Sequence, residues 1–493
     1  MVDQPRAKAY EDDERSVERS EAFSVNRTER RSLYKKREKI FPKMVSGTFR
    51  RLKWIILAVT LSVYYLTPWI RWDRGPNLPD QAILLDLPAR RFYFFFIEIW
   101  PQEVYYLTGL LILAALGLFL VTTLAGRVWC GYSCPQTVWT DLFVAVERLI
   151  EGDRSAQMRL ESAPWSAAKI AKKISKHAIW LIIAAATGGA WVFYFADAPT
   201  ILHDLFTLQA APVAYITIAV LTGTTYLFGG HAREQVCIYM CPWPRIQAAM
   251  LDEDSLTVTY RDFRGEPRGP RRKNKPDESL GDCIDCNQCV AVCPMGIDIR
   301  DGQQLECITC ALCIDACDNV MDRVNLPRGL IAYDTLANVD LRAHGGKARV
   351  RLLRPRSLFY LGVILLVGAV MLISLMSRSV LDINVLRDRN PLFVTLSDGS
   401  IRNGYTVKIL NKDYGEKQFR LSLEDMEGAG LQVVGSDPDS LTVKSDRLAG
   451  FRVFVTLPLS KLDDESRPIT FVVTDLSNGN DSRHDSVFRG PDQ

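Results

Sequence analysis

The sequence predicts an α-helical membrane protein with an inserted cysteine-rich segment and a C-terminal all-β domain. Three observations support this fold class. Five apolar runs reach the length needed to span a bilayer, eight of the 12 cysteines lie within Cys283–Cys317, and apolar and polar residues alternate after residue 379. With 493 residues the chain is long enough for several domains, and its formal net charge of +3 conceals strongly basic and uncharged stretches.

The apolar runs reach spanning length, which is roughly 20 residues for a helix that crosses a bilayer. They are Trp54–Ile70, Val104–Ala125, Ala178–Ala196, Ala210–Gly229 and Ser357–Met376. A buried helix of a large soluble protein is the alternative for any single run. Five such runs, flanked by basic residues and Trp, instead indicate five transmembrane helices.

The clustered cysteines form two matching motifs with Cys-x2-Cys-x2-Cys-x3-Cys spacing, which is typical of bacterial ferredoxins. In such motifs the first three thiolates hold one [4Fe–4S] cluster and the fourth reaches the other cluster. The expected ligands of the first cluster, here called the first group, are Cys283, Cys286, Cys289 and Cys317. Those of the second cluster, the second group, are Cys307, Cys310, Cys313 and Cys293. Zinc is the alternative metal, but its sites rarely repeat three cysteines at x2 intervals.

The other four cysteines form two Cys-x3-Cys-Pro motifs at an offset of 107 residues. This offset predicts one helical hairpin repeated twice, with Cys130, Cys134, Cys237 and Cys241 on the same cytoplasmic edge; we call these four the membrane-edge cysteines. Cys134 and Cys241 are expected to begin helices, where a thiol pKa is lowered. Four such thiolates would favour a soft ion such as Cu(I). The alternative is that all four pack as small hydrophobic residues.

The distribution of Lys and Arg predicts the orientation of the chain. Residues 1–53, 126–177 and 231–356 hold 15, 8 and 18 of these residues, and such segments tend to face the cytoplasm. An odd number of spans then places the tail in the periplasm of a bacterial inner membrane. The tail shows short alternating stretches separated by Gly, Asn, Asp and Pro, as in an immunoglobulin-like β-sandwich.

These observations divide the chain into five parts. The expected parts are a polar cytoplasmic tail (1–50), a four-helix membrane domain of two repeated hairpins (51–252), a cytoplasmic ferredoxin-like domain (253–350), a fifth transmembrane helix (351–378) and a periplasmic β-sandwich (379–493). We expect residues 1–40, rich in Glu and Arg, to be disordered. The basic cluster Arg268–Lys275 is interpreted as a solvated linker near anionic lipid, so nucleic acid is not an expected partner.

The order of the Cys-x3-Cys-Pro motifs, the double ferredoxin motif and the β-sandwich resembles the cytochrome c oxidase accessory protein family, CcoG, also called RdxA or FixG. The resemblance begins near Arg31 and includes the WPQEVYYL stretch at 100–107. It implies an enzyme that reduces Cu(II) to Cu(I) for assembly of a cbb-type cytochrome oxidase, with copper as substrate or bound ion. The expected partners are membrane lipid, copper, an unidentified cytoplasmic electron donor, and oxidase assembly factors or copper transporters. A homodimer is compatible with this interpretation.

Two other functions stay open at this point. The membrane hairpins also resemble those of the quinol-linked NapH and NosR proteins, which favours an electron conduit from quinol to a respiratory partner. A third hypothesis is a non-enzymatic assembly scaffold whose β-sandwich docks oxidase subunits. Quinol oxidation requires a quinol site at the hairpins, whereas a scaffold requires no turnover.

Overall fold

The computed structural model describes residues 19–26, 38–75, 78–270, 279–349, 351–377, 381–412, 415–424, 426–444, 447–462 and 464–491. Much of the tail predicted to be disordered, and most of the basic cluster, lie outside these residues. The chain divides into two compact units, which are described separately. One comprises Met1–Asp73 and Pro79–Met371, and the other Arg74–Leu78 and Leu372–Gln493.

The first unit is predominantly helical. Its helices are α1 (Thr48–Leu66), α2 (Tyr105–Ala125), α3 (Val128–Tyr132), α4 (Pro135–Glu151), α5 (Arg154–Ser162), α6 (Ala167–Val192), α7 (Ala198–Phe206), α8 (Pro212–Thr225), α9 (Trp243–Ala248), α10 (Asp262–Gly265), α11 (Gln288–Val292), α12 (Leu312–Arg323), α13 (Leu336–Ala343) and α14 (Pro355–Met376). Two π-helical segments, Tyr226–Ala232 and Val236–Met240, follow α8. A small antiparallel sheet of β1 (Ile83–Asp86), β2 (Arg91–Phe94) and β3 (Ile97–Ile99) lies between α1 and α2.

Four helical stretches in the described part of the chain are long and apolar enough to cross a membrane. They are Thr48–Trp69, Tyr105–Ala125, Pro212–Ala232 and Pro355–Met376, and they coincide with four of the five predicted spans. The remaining span, Ala178–Ala196, falls on α6, whose first turns carry several lysines. Its membrane crossing therefore stays a prediction.

The apolar side chains of α14 face outward, since none of its most apolar window is buried inside the protein. A helix that is apolar on its exposed surface requires an apolar environment or partner. Inside the bundle, α6 and α8 approach closely at Gly188, where a Cβ atom would lie 2.8 Å from the carbonyl oxygen of Ile218. Phe143 of α4 stacks on the buried Trp180 of α6, with ring centroids 5.4 Å apart.

The ferredoxin-like segment packs around a two-stranded antiparallel sheet of β4 (Thr257–Tyr260) and β5 (Ile331–Asp334). It is joined to the first apolar helix through Asp315 of α12. The Asp315 carboxylate accepts hydrogen bonds from the backbone N–H groups of Phe49 (3.2 Å) and Arg50 (2.8 Å). A carboxylate in this position satisfies free N–H groups at the start of α1 and complements the helix dipole. The ferredoxin-like segment is therefore fixed to the helical bundle.

The predicted disorder of the N-terminal tail is wrong for residues 19–26. The backbone N–H of Ser20 donates to the carbonyl of Cys286 and that of Val25 to Gly296, both at 2.9 Å. Ala22 is buried in the hydrophobic core that contains the first group of cysteines. Composition failed to predict this order because the segment is held by contacts with residues far along the chain, which composition does not encode.

The second unit confirms the predicted all-β tail. Its strands are β6 (Leu381–Arg387), β7 (Val394–Thr395), β8 (Ile401–Asn411), β9 (Lys417–Glu424), β10 (Gly430–Val433), β11 (Leu441–Val443), β12 (Arg447–Leu457), β13 (Ser466–Asp475) and β14 (Asp481–Arg489). They form two antiparallel sheets, ordered β10-β12-β8-β6, with β7 on β8, and β11-β9-β13-β14. Alternate residues of β8 are buried, as expected for strands that face a common core. In that core Tyr405 packs edge-on against Phe471 of the other sheet.

Candidate metal centre

The two ferredoxin motifs adopt the same unusual backbone conformation. Asp285 and Asn287 in the first motif have φ angles of 54° and 55°, and Thr309 and Ala311 in the second have 52° and 61°. The equivalent residues are 24 positions apart, as are Cys283 and Cys307. Left-handed backbone is uncommon for residues other than glycine. Its recurrence at matching positions shows that the two cysteine loops share one backbone conformation.

The structure brings the cysteines together in the crosswise arrangement that the spacing predicts. Cys317 belongs to the hydrophobic core that contains Cys283 and Cys289, with Cys286 packed against it. Cys293 packs instead in a second core, beside Cys310. Cys307 and Cys313 contact both cores. The fourth cysteine of each motif thus lies with the first three of the other.

Burial makes these thiols unfavourable sites for negative charge. It raises the pKa of the Cys317 thiol to about 12, with Cys286 and Cys283 contributing. It also raises the pKa of Cys313 well above its ordinary value, and the neighbouring Cys310 and Cys307 add to this shift. Bound metal ions stabilise buried neighbouring thiolates, because they supply the positive charge that offsets the negative charge on the sulfur atoms. The chemistry of both groups therefore fits iron–sulfur clusters.

The thiols do not converge as the ligands of a single ion would. Within the described ranges, no three His, Cys, Asp or Glu side chains are arranged to hold one metal ion. In a [4Fe–4S] cluster each of the four cysteines would bind a different iron atom.

The membrane-edge cysteines of the two hairpins lie near one another. Burial raises the pKa of the Cys237 thiol to about 12. The other three membrane-edge cysteines raise it further, and Cys134 contributes most among them. Cys130 lies on α3, and its thiol donates a hydrogen bond to Oε1 of Gln247 at 3.1 Å. The four are neighbours without being gathered around one point.

The predicted lowering of the thiol pKa at the helix starts is wrong for Cys134. This residue caps α4, and backbone hydrogen bonds from Gln136 and Thr137 do favour its thiolate. Burial outweighs them and raises the pKa of Cys134. Cys241 precedes a helix of only six residues, α9, by two positions. The matching sequence motifs therefore lead into unequal helices.

Two of the membrane-edge cysteines adjoin the second group directly. Cys130 and Cys237 pack against the same hydrophobic core as Cys310 and Cys293. The Arg127 guanidinium donates hydrogen bonds to the carbonyl oxygens of Leu305 and Cys307, the latter at 3.0 Å. These contacts place the two sets of cysteines side by side.

Sequence reasoning missed the residues that make this contact, namely Arg127, Gly131, Tyr132 and Gln247. The Tyr132 hydroxyl donates to the carbonyl of Cys310 at 3.2 Å. A Cβ atom on Gly131 would lie 2.6 Å from the carbonyl oxygen of Ile308, so only glycine permits this close approach. The Gly-Tyr pair between Cys130 and Cys134 could have suggested a tight contact, but nothing local to it identifies the partner.

Gly131→Ala is expected to destabilise the protein by roughly 1–3 kcal/mol, the usual cost of overpacking a close contact. It should also reduce the iron bound by the second group. Gly117→Ala is a matched control, because a Cβ atom there would meet no other group within 4 Å. Thermal unfolding and iron analysis of both variants test the contact. Equal thermal stability and equal iron content of the two variants would show that α3 does not pack closely against the second ferredoxin motif.

Comparison with known proteins identifies three matching regions. Residues 232–336 match a 4Fe–4S dicluster domain, residues 107–151 match a 4Fe–4S binding domain, and residues 371–491 match the Ig-like fold at the C-terminus of FixG. The nitrogen fixation protein FixG of Rhizobium meliloti is 54% identical, over 100% of this chain and 99% of its own. The proteins RdxB and RdxA of Cereibacter sphaeroides are 55% and 54% identical, over 94% and 90% of this chain and 98% and 93% of their own.

Proposed function

Because the chain belongs to the FixG/RdxA family of iron–sulfur proteins, we propose that it is a membrane-bound oxidoreductase that reduces Cu(II) to Cu(I). Its matched 4Fe–4S domains are those of an electron-transfer protein. The reduced copper would serve the assembly of a cbb-type cytochrome c oxidase. The four spans and α6 would lie in the inner membrane, with the metal-binding segment in the cytoplasm and the β-sandwich in the periplasm.

The contact between the membrane-edge cysteines and the second group supports this function most directly. When bound to the two groups of cysteines, [4Fe–4S] clusters would supply one-electron transfer, and Cu(II) reduction requires one electron. Copper at Cys130 and Cys237 would lie beside the second group within the same packed core. Soft thiolates favour Cu(I) over Cu(II), so these ligands would favour the reduced ion.

The surrounding residues would hold this arrangement rigid. Arg127 and Tyr132 tie the second ferredoxin loop to α3 through its carbonyl oxygens, and Gln247 orients the Cys130 thiol. Copper is a substrate in this function and must leave again. Neighbouring thiols that do not form a closed site therefore suit transfer better than a permanent tetrahedral site would.

An anaerobic titration of the full-length protein tests this function. Protein reduced with dithionite and then freed of excess reductant is mixed with Cu(II), and Cu(I) is captured by a chromogenic chelator. We expect cluster absorbance to return as Cu(I) appears, at about one Cu(I) per cluster because each cluster releases one electron. Protein stripped of iron is the control for direct reduction by thiols. Clusters that stay reduced while Cu(II) is present would contradict the proposal.

A further inference from the structure

A cavity of about 410 Å³ lies between the helical bundle and the second ferredoxin motif. Arg127 lines it from the bundle, and Cys307 and Thr309 line it from the motif. Among the four cysteines of the second group, Cys307 alone lines the cavity. Its volume falls within the range of small-molecule sites.

Two buried polar atoms in the lining residues have no hydrogen-bond partner among the described residues. They are Nε of Arg127 and Oγ1 of Thr309, whose residues are only 4% and 3% exposed. Leaving a buried polar group unpaired is costly, and native proteins rarely do so without a ligand, water or function. A polar ligand in the cavity that both residues line would supply the missing hydrogen-bond partners.

The rest of the lining selects the class of ligand. About half of the lining residues are apolar, among them Leu251, Val258 and Ile299. The other half are polar or charged and include Asp252, Glu253, Gln303 and Gln304, with Arg127 as the one cationic residue among the described residues of the wall. A dinucleotide needs more volume and a phosphate-binding site. A neutral ring with oxygen atoms at its edges matches both the volume and the mixture of apolar side chains with hydrogen-bonding groups in the wall.

The cavity lies where two of the apolar helices end. Arg127 follows the last residue of α2 by two positions. Arg354, immediately before α14, donates to the carbonyl of Thr123 at 2.6 Å and pairs with Asp252, another lining residue. If these helices span the membrane, the cavity lies at the level of the lipid headgroups. A ring carried by a lipid-soluble tail would reach it from the bilayer.

We propose that this cavity binds the ring of a quinol, which acts as the electron donor; this inference rests on the oxidoreductase function proposed above. Oxidation of the quinol to the quinone breaks two O–H bonds and releases two electrons and two protons. The electrons would leave singly toward the iron–sulfur centre held by Cys307 and its group. The exposed carboxylate of Glu253, at the cavity wall, would pass the protons to the cytoplasm.

Binding of a short-tailed ubiquinone analogue to the purified full-length protein in detergent tests the site. Leu336 lines the cavity and is 42% exposed, whereas Leu341 of the same helix is 40% exposed and does not line it. Leu336→Trp should fill the cavity and weaken binding roughly tenfold or more, while Leu341→Trp should bind like the wild type. Iron content should stay unchanged in both variants.

Other outcomes separate this inference from the proposed function. A water-soluble sulfonated quinone that binds as tightly as the tailed analogue would show that a soluble aromatic donor, not a membrane quinol, is the natural ligand, and would overturn the proposal. Absence of saturable binding, or equal weakening in both variants, would also overturn it. Dithionite-reduced Leu336→Trp should still reduce Cu(II). If this variant reduces Cu(II) with dithionite but not with quinol, the quinol site is supported. If the dithionite-reduced wild type does not reduce Cu(II), the proposed copper function fails, and the quinol site is then tested by the binding measurements with the two Trp variants.

Discussion

Cys293→Ala is expected to halve the iron content, from about eight to about four iron atoms per chain. Although Cys293 belongs to the first sequence motif, it packs beside Cys310 in the second core, so its loss should remove the second cluster. Cys317→Ala should likewise remove the first cluster, whose other ligands are Cys283, Cys286 and Cys289. Iron and acid-labile sulfide analysis after anaerobic preparation measures both effects.

Double variants distinguish the crosswise arrangement from one in which each motif holds its own cluster. Cys293→Ala combined with Cys307→Ala should retain about four iron atoms, because both residues serve the same cluster. Cys293→Ala combined with Cys283→Ala should retain almost none. The reverse result, with the second pair losing no more than one cluster, would refute the crosswise arrangement. Recovery of zinc with negligible iron in the wild type would refute clusters altogether.

The features predicted correctly from the sequence are those encoded by local spacing. Periodic apolar runs predicted four of the helices, and alternation predicted the strands of the second unit. The cysteine spacing predicted two ligand groups whose members also pack together, and their role as cluster ligands stays a prediction. Each depends on residues within one element or one loop, where backbone geometry relates sequence separation to direction in space.

The contact between α3 and the second ferredoxin motif could not be predicted in this way. Arg127 and Cys307 are 180 residues apart, and the carbonyl oxygens that Arg127 binds are present in every residue. The pKa of Cys134 shows a related limit. A helix start favours the thiolate, but the opposing effect of burial depends on which distant elements cover the residue. Packing between residues far apart in the sequence therefore determines both the contact at Arg127 and the pKa of Cys134.

Replacing the membrane-edge cysteines in pairs is expected to weaken copper binding strongly. Because these would be direct ligands, each of the variants Cys130→Ser/Cys134→Ser and Cys237→Ser/Cys241→Ser should lose at least the roughly 10- to 100-fold that outer-shell changes cost. The variant lacking all four should be little worse than either pair, since half of a shared site already fails and the effects of coupled residues are not additive. Met240→Leu, which removes an exposed thioether between Cys237 and Cys241, is the matched control and should bind copper normally.

Iron analysis of the same variants decides what the membrane-edge cysteines bind. If copper is their ligand, all three cysteine variants should keep about eight iron atoms, because both groups of cluster cysteines are intact. Residues 107–151 match a 4Fe–4S binding domain but contain only Cys130 and Cys134, so Cys237 and Cys241 would have to complete a cluster there. A wild type with about twelve iron atoms, falling to about eight in every pair variant, would therefore identify a third cluster in place of the copper site. Normal copper binding and reduction with unchanged iron would instead show that these four cysteines only pack, leaving the chemistry to the first and second groups.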